Sequence, residues 1–155
     1  MEIALLAVGK LRPSLREACD DYLRRLSRYV RVREVEVREA ARAPTLAAQR
    51  RQEASRLRER APAGADIVVL AREGRSLTSD ALAGQMEQWQ LAGRPLVLLL
   101  GGSRGLDPEL MAEAEMRWSL GPLTLPHELA RLVVLEQVYR AFTILRGEPY
   151  HKGAR

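Results

Sequence analysis

Leu96-Val97-Leu98-Leu99-Leu100-Gly101-Gly102-Ser103-Arg104-Gly105 carries the reading of the fold. Five consecutive apolar residues without polar alternation predict a strand buried on both faces. That is the pattern of a parallel sheet covered by helices on either side. The run ends in a glycine-bearing turn. Asp107-Pro108 then reads as N-cap and first helical residue, opening a helix to about Met116.

The same alternation continues in both directions. Upstream, Ser79 is placed to cap a helix carrying Leu82, Met86 and Trp89, which Gly93 ends. Ile67 to Leu70 is a second apolar strand, preceded by a break at Pro62, Gly64 and Asp66. Residues 46 to 60 are helical but weakly amphipathic, with Leu46, Ala47, Ala54 and Leu57 to bury. Residues 33 to 37 read as a strand with Val35 and Val37 on one side, and Val30 and Val32 leave its start unsettled. Leu15, Ala18, Cys19, Tyr22, Leu23 and Leu26 recur at helical spacing over 14 to 27, and residues 2 to 8 form an apolar strand stopped by Gly9. Downstream, Trp118 to Leu125 is a short strand or extended loop, and Pro126 starts a long last helix to 146. Strand and helix in alternation predict one α/β domain over residues 1–155, a mostly parallel sheet with helices on both faces.

Composition narrows the class. Of 155 residues 46% are hydrophobic and 29% charged, ordinary for a globular protein with a real core. One cysteine, Cys19 on the apolar side of its helix, excludes an internal disulfide and reads as buried filler. His127 and His151 are the only histidines, too few and too far apart to suggest a metal site. No stretch reaches the ~20 apolar residues that span a bilayer, and no leader pattern opens the chain, so the expected location is the cytoplasm. The formal net charge is +5, with only Lys10 and Lys152 as lysines. Between Arg38 and Arg60 seven arginines (38, 42, 50, 51, 56, 58, 60) face three glutamates (39, 53, 59). A solvated face explains this, and so does a nucleic-acid partner, because guanidinium forks suit phosphate oxygens.

Three stretches carry chemistry. Ligands of open parallel sheets bind beyond the carboxyl ends of the strands, where Leu70, Gly101 and the run Leu120-Gly121-Pro122-Leu123-Thr124-Leu125 fall. Gly101, Gly102 and Gly105 make either a tight turn or a place where bare backbone approaches a ligand. They match neither Gly-x-Gly-x-x-Gly nor a P-loop. The apolar 120–125 segment is a core-filling connection or a loop whose main chain reads the edge of a flat neutral ligand such as adenine. Glu136 and Arg140, four apart on the last helix, are a routine ion pair or stand at the mouth of a site. That helix is apolar over more than half its circumference (Leu129, Leu132, Val133, Val134, Leu135, Val138, Tyr139, Phe142, Ile144, Leu145), which predicts a second copy against it. Pro149-Tyr150-His151-Lys152 closes the chain with a histidine where a tail would ordinarily fray. On residues alone, an enzyme and a basic RNA-binding factor without catalysis stay equally open.

Leu100-Gly101-Gly102-x-x-Gly105-Leu106, Trp118-Ser119-Leu120 through Leu123-Thr124-Leu125-Pro126-His127, Glu136-Gln137-x-Tyr139-Arg140-Ala141 and Pro149-Tyr150-His151 together resemble a known family, the small single-domain SPOUT methyltransferases of large-subunit ribosomal RNA. The likeness covers essentially the whole chain. It implies a trefoil knot near the C-terminus, a homodimer, and an S-adenosylmethionine site formed by Leu70, Gly101, Leu120, Gly121, Pro122, Leu123, Thr124 and Leu125. The implied substrate is 23S rRNA in the assembled ribosome, at N3 of a pseudouridine in helix 69. An imide N3–H is a poor nucleophile until it loses its proton. His151 is then the first candidate for the base, Tyr150 for stacking on or bonding the ring, and Arg140 or Lys152 for phosphate or the ring anion, with Glu136 beside them. A tail of this kind is placed to reach a partner's cofactor. Another RNA target, such as tRNA, is the alternative within the superfamily.

Overall fold

The computed structural model describes residues 1–153. Strands β1 (Glu2–Val8), β2 (Arg31–Val37), β3 (Asp66–Ser76), β4 (Leu96–Leu100) and β5 (Met116–Ser119) form one sheet in the order β2-β1-β4-β3-β5. All neighbouring strands run parallel, so each connection must cross back over the sheet. Helices α1 (Pro13–Leu26), α2 (Leu46–Arg58), α3 (Ser79–Ala92) and α4 (Pro108–Glu113) make these crossings, and α5 (His127–Leu145) and a 3₁₀ turn (Pro149–Gly153) follow the last strand.

The central strands explain why an unbroken apolar run was needed. Ile3, Leu5, Leu96 and Leu98 face α1, α3 and α5, while Ala4, Leu6, Val97 and Leu99 face the layer of α2 and α4. All eight are buried. Each buried aliphatic side chain stabilises the fold by roughly 1.5–3 kcal/mol. Cys19 is buried with them, and burial pushes its thiol up to about 11.

Several sequence expectations shift. The α3 cap is Thr78, whose hydroxyl accepts from Ala81 N at 3.1 Å. Ser79 instead donates to Gln137 Oε1 at 2.7 Å and ties α3 to α5. Helix α4 stops at Glu113, not near Met116, because Met116 pairs with Val68 and enters the sheet. Leu46 is exposed, while Glu53, Ala54 and Leu57 form the buried face of α2. Strand β3 runs past Leu70 to Ser76, with a register shift opposite Trp118. Gly74 makes that possible: a Cβ there would stand 2.5 Å from the Arg117 carbonyl oxygen, so no side chain fits.

The apolar circumference of α5 has a cause within the chain. The helix lies between α1 and α3 on the sheet, which buries Val134, Leu135, Val138 and Phe142. A second copy is not needed for those residues. Leu129, Leu132 and Val133 stay half-buried.

Candidate functional site

Parallel strands bring all their carboxyl ends to one edge, and there the chain opens a pocket of about 180 Å³. Leu70 is paired with Trp118 on the neighbouring strand, so β3 at the point where it leaves β4, and the end of β5, form its floor. Ala71 and Arg72 extend one wall, Ala130 of α5 another, and the loop after β5 closes over them. That loop is shaped by its own residues. Ser119 Oγ accepts from Gly121 N at 3.1 Å and donates to Gly121 O at 3.2 Å. Gly121 turns at φ 116°, a conformation that side chains rarely tolerate. Pro122 at the bend and Pro126 before α5 fix φ on either side.

Leu70, Leu120, Gly121, Leu123, Thr124 and Leu125 therefore share one pocket. Pro122 is exposed on the loop and does not line it. Gly101 lies elsewhere, at the end of β4. A Cβ there would come within 2.9 Å of the Gly105 carbonyl carbon and 3.0 Å of Leu106 Cγ. Its missing side chain leaves room for the turn that Gly105 N closes on Gly102 O at 3.1 Å.

The lining suits a flat ligand of low charge. Most of it is aliphatic side chain, Trp118 and main chain. Leu123, Thr124 and Leu125 make no hydrogen bond to any described residue through their main-chain groups. Polar backbone atoms beside an apolar cleft seek partners, and the edge of a heterocycle offers them. The volume is small beside the roughly 300–1,000 Å³ of ordinary ligand clefts, so one chain alone would enclose such a ligand only in part. Leu123 is 77% exposed at the lip.

The tail candidates gather at a second place. Tyr150 OH donates to Glu136 Oε1 at 3.0 Å and lies 3.1 Å from Tyr22 OH. Arg140 pairs with Glu136 and sets its guanidinium 5.0 Å from the centre of the Tyr150 ring. Gln137 Nε2 donates to Glu136 Oε2 at 2.7 Å, which links Ser79 into the same chain of bonds. Tyr139 meets Tyr150 edge-on at 4.7 Å. Burial and the neighbouring Tyr22 and Glu136 raise the Tyr150 phenol well above its ordinary range, so it stays a donor. The His151 Nδ1 is buried and has no partner among the described residues, while Lys152 is exposed. The tail thus folds back on α1 and α5 instead of fraying.

None of Glu136, Arg140, Tyr150 and His151 lines the pocket. At 1.5 Å per residue, Glu136 stands about 9 Å along the α5 axis from Ala130. The pocket and the tail cluster are therefore separate places in this chain.

One supporting device had escaped sequence reasoning. Arg131 is 1% exposed. Its Nη1 lies 2.5 Å from Glu36 Oε2, and its Nη2 donates to Gly9 O at 3.0 Å. Arg16 joins from α1, 2.5 Å from Glu34. This cluster fastens the pocket end of α5 to β1 and β2. An arginine inside an apolar helix and two glutamates on a strand were visible, but not that they meet. Among the described residues no three His, Cys, Asp or Glu gather as a metal site, and no helix is long and apolar enough to cross a membrane.

Comparison with known proteins places this geometry. The family described as "Predicted SPOUT methyltransferase" matches residues 1–151. A Sorangium cellulosum protein named ribosomal RNA large subunit methyltransferase H is 44% identical over 155 residues, covering 97% of this chain and 99% of its own. Its namesake in Rubrobacter xylanophilus is 48% identical, covering 95% and 96%. That of Pseudomonas aeruginosa is 41% identical, covering 98% and 100%. A solved structure of a probable methylase family protein from Haemophilus influenzae superposes with a TM-score of 0.55 at 10% identity, over 96% of this chain and 69% of that one. That likeness supports the fold.

Proposed function

Because this chain belongs to the ribosomal RNA large subunit methyltransferase H family of the SPOUT methyltransferases, we propose that it methylates 23S rRNA with S-adenosylmethionine as donor. The target in this reading is N3 of a pseudouridine in helix 69, on the assembled ribosome in the cytoplasm. The observation that carries it is the pocket of unpaired main chain and aliphatic side chains at the carboxyl edge of β3 and β5.

The residues present fit the donor. Leu70 and Leu120 to Leu125 would hold its adenosine, with the free amides and carbonyls of Leu123 to Leu125 at the ring edge. When bound, S-adenosylmethionine supplies an electrophilic methyl on a sulfonium. The remaining work belongs to the chain. It must place the base in line with that methyl, which is chiefly a matter of position, and it must take the N3 proton. His151, half-buried on the tail, is the proposed acceptor. Glu136 and Arg140 fix Tyr150 from two sides, and Tyr150 in turn sets where His151 stands.

A homodimer completes this reading. Pocket and tail are apart in one chain, the pocket is only partly enclosed, and Leu129, Leu132 and Val133 retain exposed surface on α5. A second copy that lends its tail to the first copy's pocket answers all three observations. The C-terminal trefoil knot implied by the sequence resemblance belongs to the same proposal.

The test is methyl transfer from labelled donor to whole ribosomes, free large subunits, naked 23S rRNA and tRNA in parallel. Label is expected on whole ribosomes and confined to one pseudouridine. Label on tRNA alone would move the target. Label on nothing would leave a binding factor without catalysis.

A further inference from the structure

The pocket shares its edge of the sheet with arginines that form no ion pair among the described residues. Because the strands are parallel, the loops after β1, β2 and β4 leave the same edge as the loop 120–126. Arg38 and Arg42 follow β2, and Arg104 sits in the turn after β4. All three are exposed, and among the described residues none is ion-paired. Nine other arginines, Arg131 and Arg140 among them, do pair with an Asp or Glu.

The segments that carry these charges are braced. Arg56 Nη1 donates to the Arg38 carbonyl at 2.7 Å, and Arg50 Nε donates to the Arg104 carbonyl at 2.7 Å. Glu39 lies between the loops: a Cβ on either Gly9 or Gly102 would stand 3.5 Å from its Oε1. Two guanidinium groups are thus spent on fixing backbone that presents two others. A merely solvated face has no use for that rigidity. Guanidinium forks carried on a fixed rim suit successive phosphates of a strand laid across it.

We propose that Arg38, Arg42 and Arg104 form a phosphate clamp for RNA, which lays the strand bearing the target base along the carboxyl edge of the sheet toward the pocket. The clamp rests on the rRNA methyltransferase reading above and adds the residues that hold the substrate's backbone. Such contacts fix register and carry no sequence information. The sequence of the target is then set by the pocket and the ribosome.

The opposite edge of the sheet provides the control. Arg28, Arg31 and Arg60 are equally exposed there, far from the pocket along the strands. Two triple variants remove the same charge: Arg38→Gln with Arg42→Gln and Arg104→Gln, and Arg28→Gln with Arg31→Gln and Arg60→Gln. The readouts are ribosomal-RNA affinity against salt, KM for the ribosomal substrate, and donor affinity. Each phosphate contact contributes roughly 0.7–0.9 to the slope of log affinity against log salt. The carboxyl-edge triple is expected to lower that slope by about two to three and to raise KM at least tenfold, with donor affinity unchanged. The amino-edge triple is expected to match the wild type. Should the first triple fail to fold, Arg42→Gln and Arg104→Gln singly would each lower the slope by about one. Equal effects from both triples would reduce the clamp to general charge and overturn it. An unchanged slope in an active carboxyl-edge triple would overturn it while leaving the methyltransferase reading intact. A wild type that binds no ribosomal RNA would remove both.

Discussion

A chain ending at Glu148 is expected to fold and bind the methyl donor yet transfer no methyl group. The truncation removes Tyr150 and His151 but keeps Glu148, whose carboxylate accepts from Tyr29 OH at 2.6 Å and holds the end of α5 in place. The lost packing of the half-buried Tyr150 on Tyr139 and Tyr22 costs about 2 kcal/mol, which a domain of this size tolerates. The pocket residues are untouched, so donor affinity should stay within about twofold of the wild type. Transfer should fall by roughly 10²–10⁴, the usual contribution of a positioned acid or base. Single-turnover transfer and calorimetric donor titration separate the two effects. Normal transfer by the shortened chain would remove the tail from the chemistry. Mixing shortened chains with full-length chains whose pocket is blocked adds a further test. Activity in the mixture alone is the signature of a site shared across two subunits.

Arg131→Ala is expected to be the most damaging single substitution for stability. It leaves Glu36 with only Arg16, 3.6 Å away, and strips one of the two positive charges from Glu34, whose side chain is only 6% exposed. Removing one partner from a buried ion pair typically costs 3–5 kcal/mol, because the other charge remains in a poorly solvated place. For a chain of this length that corresponds to a fall in Tm of about 10 °C. Adding Glu34→Gln and Glu36→Gln to Arg131→Ala should recover part of the loss, which a pure cavity effect would not. Since the cluster anchors the first turns of α5, donor affinity should weaken in parallel. A Tm within 2 °C of the wild type would show that the cluster contributes little (about 1 kcal/mol moves Tm by roughly 2–4 °C).

What the sequence disclosed follows from the range of the forces involved. β1 and β4 were legible because burial on both faces leaves no polar position to confuse the pattern. Asp107-Pro108 and Gly93 marked helix ends because capping is a local event. The outer half of β3 was hidden, since Arg72 and Glu73 fall in its register shift, Arg75 pairs only with β5, and all three look like loop. Met116 was assigned to a helix because its partner, Val68, is far away in sequence. The apolar surplus of α5 predicts a second copy; α1 and α3 bury Val134, Leu135, Val138 and Phe142, and Leu129, Leu132 and Val133 stay half-buried. The pocket loop was legible through its glycine, its prolines and its likeness to a family. The separation of that pocket from the Tyr150 cluster was not, because no local pattern records the angle at which a tail returns. At Gly101 spacing leaves a tight turn and a backbone approach to a ligand both open, and the structure shows the turn packed beside Leu106.

The account stands most directly on where the donor binds. Backbone amide shifts followed while S-adenosylmethionine is titrated into the intact protein would locate it. The largest changes are expected at Leu70 to Arg72 and at Leu120, Gly121 and Leu123 to Leu125, saturating at micromolar donor. No change at those amides, or changes centred on another part of the sheet, would contradict the account.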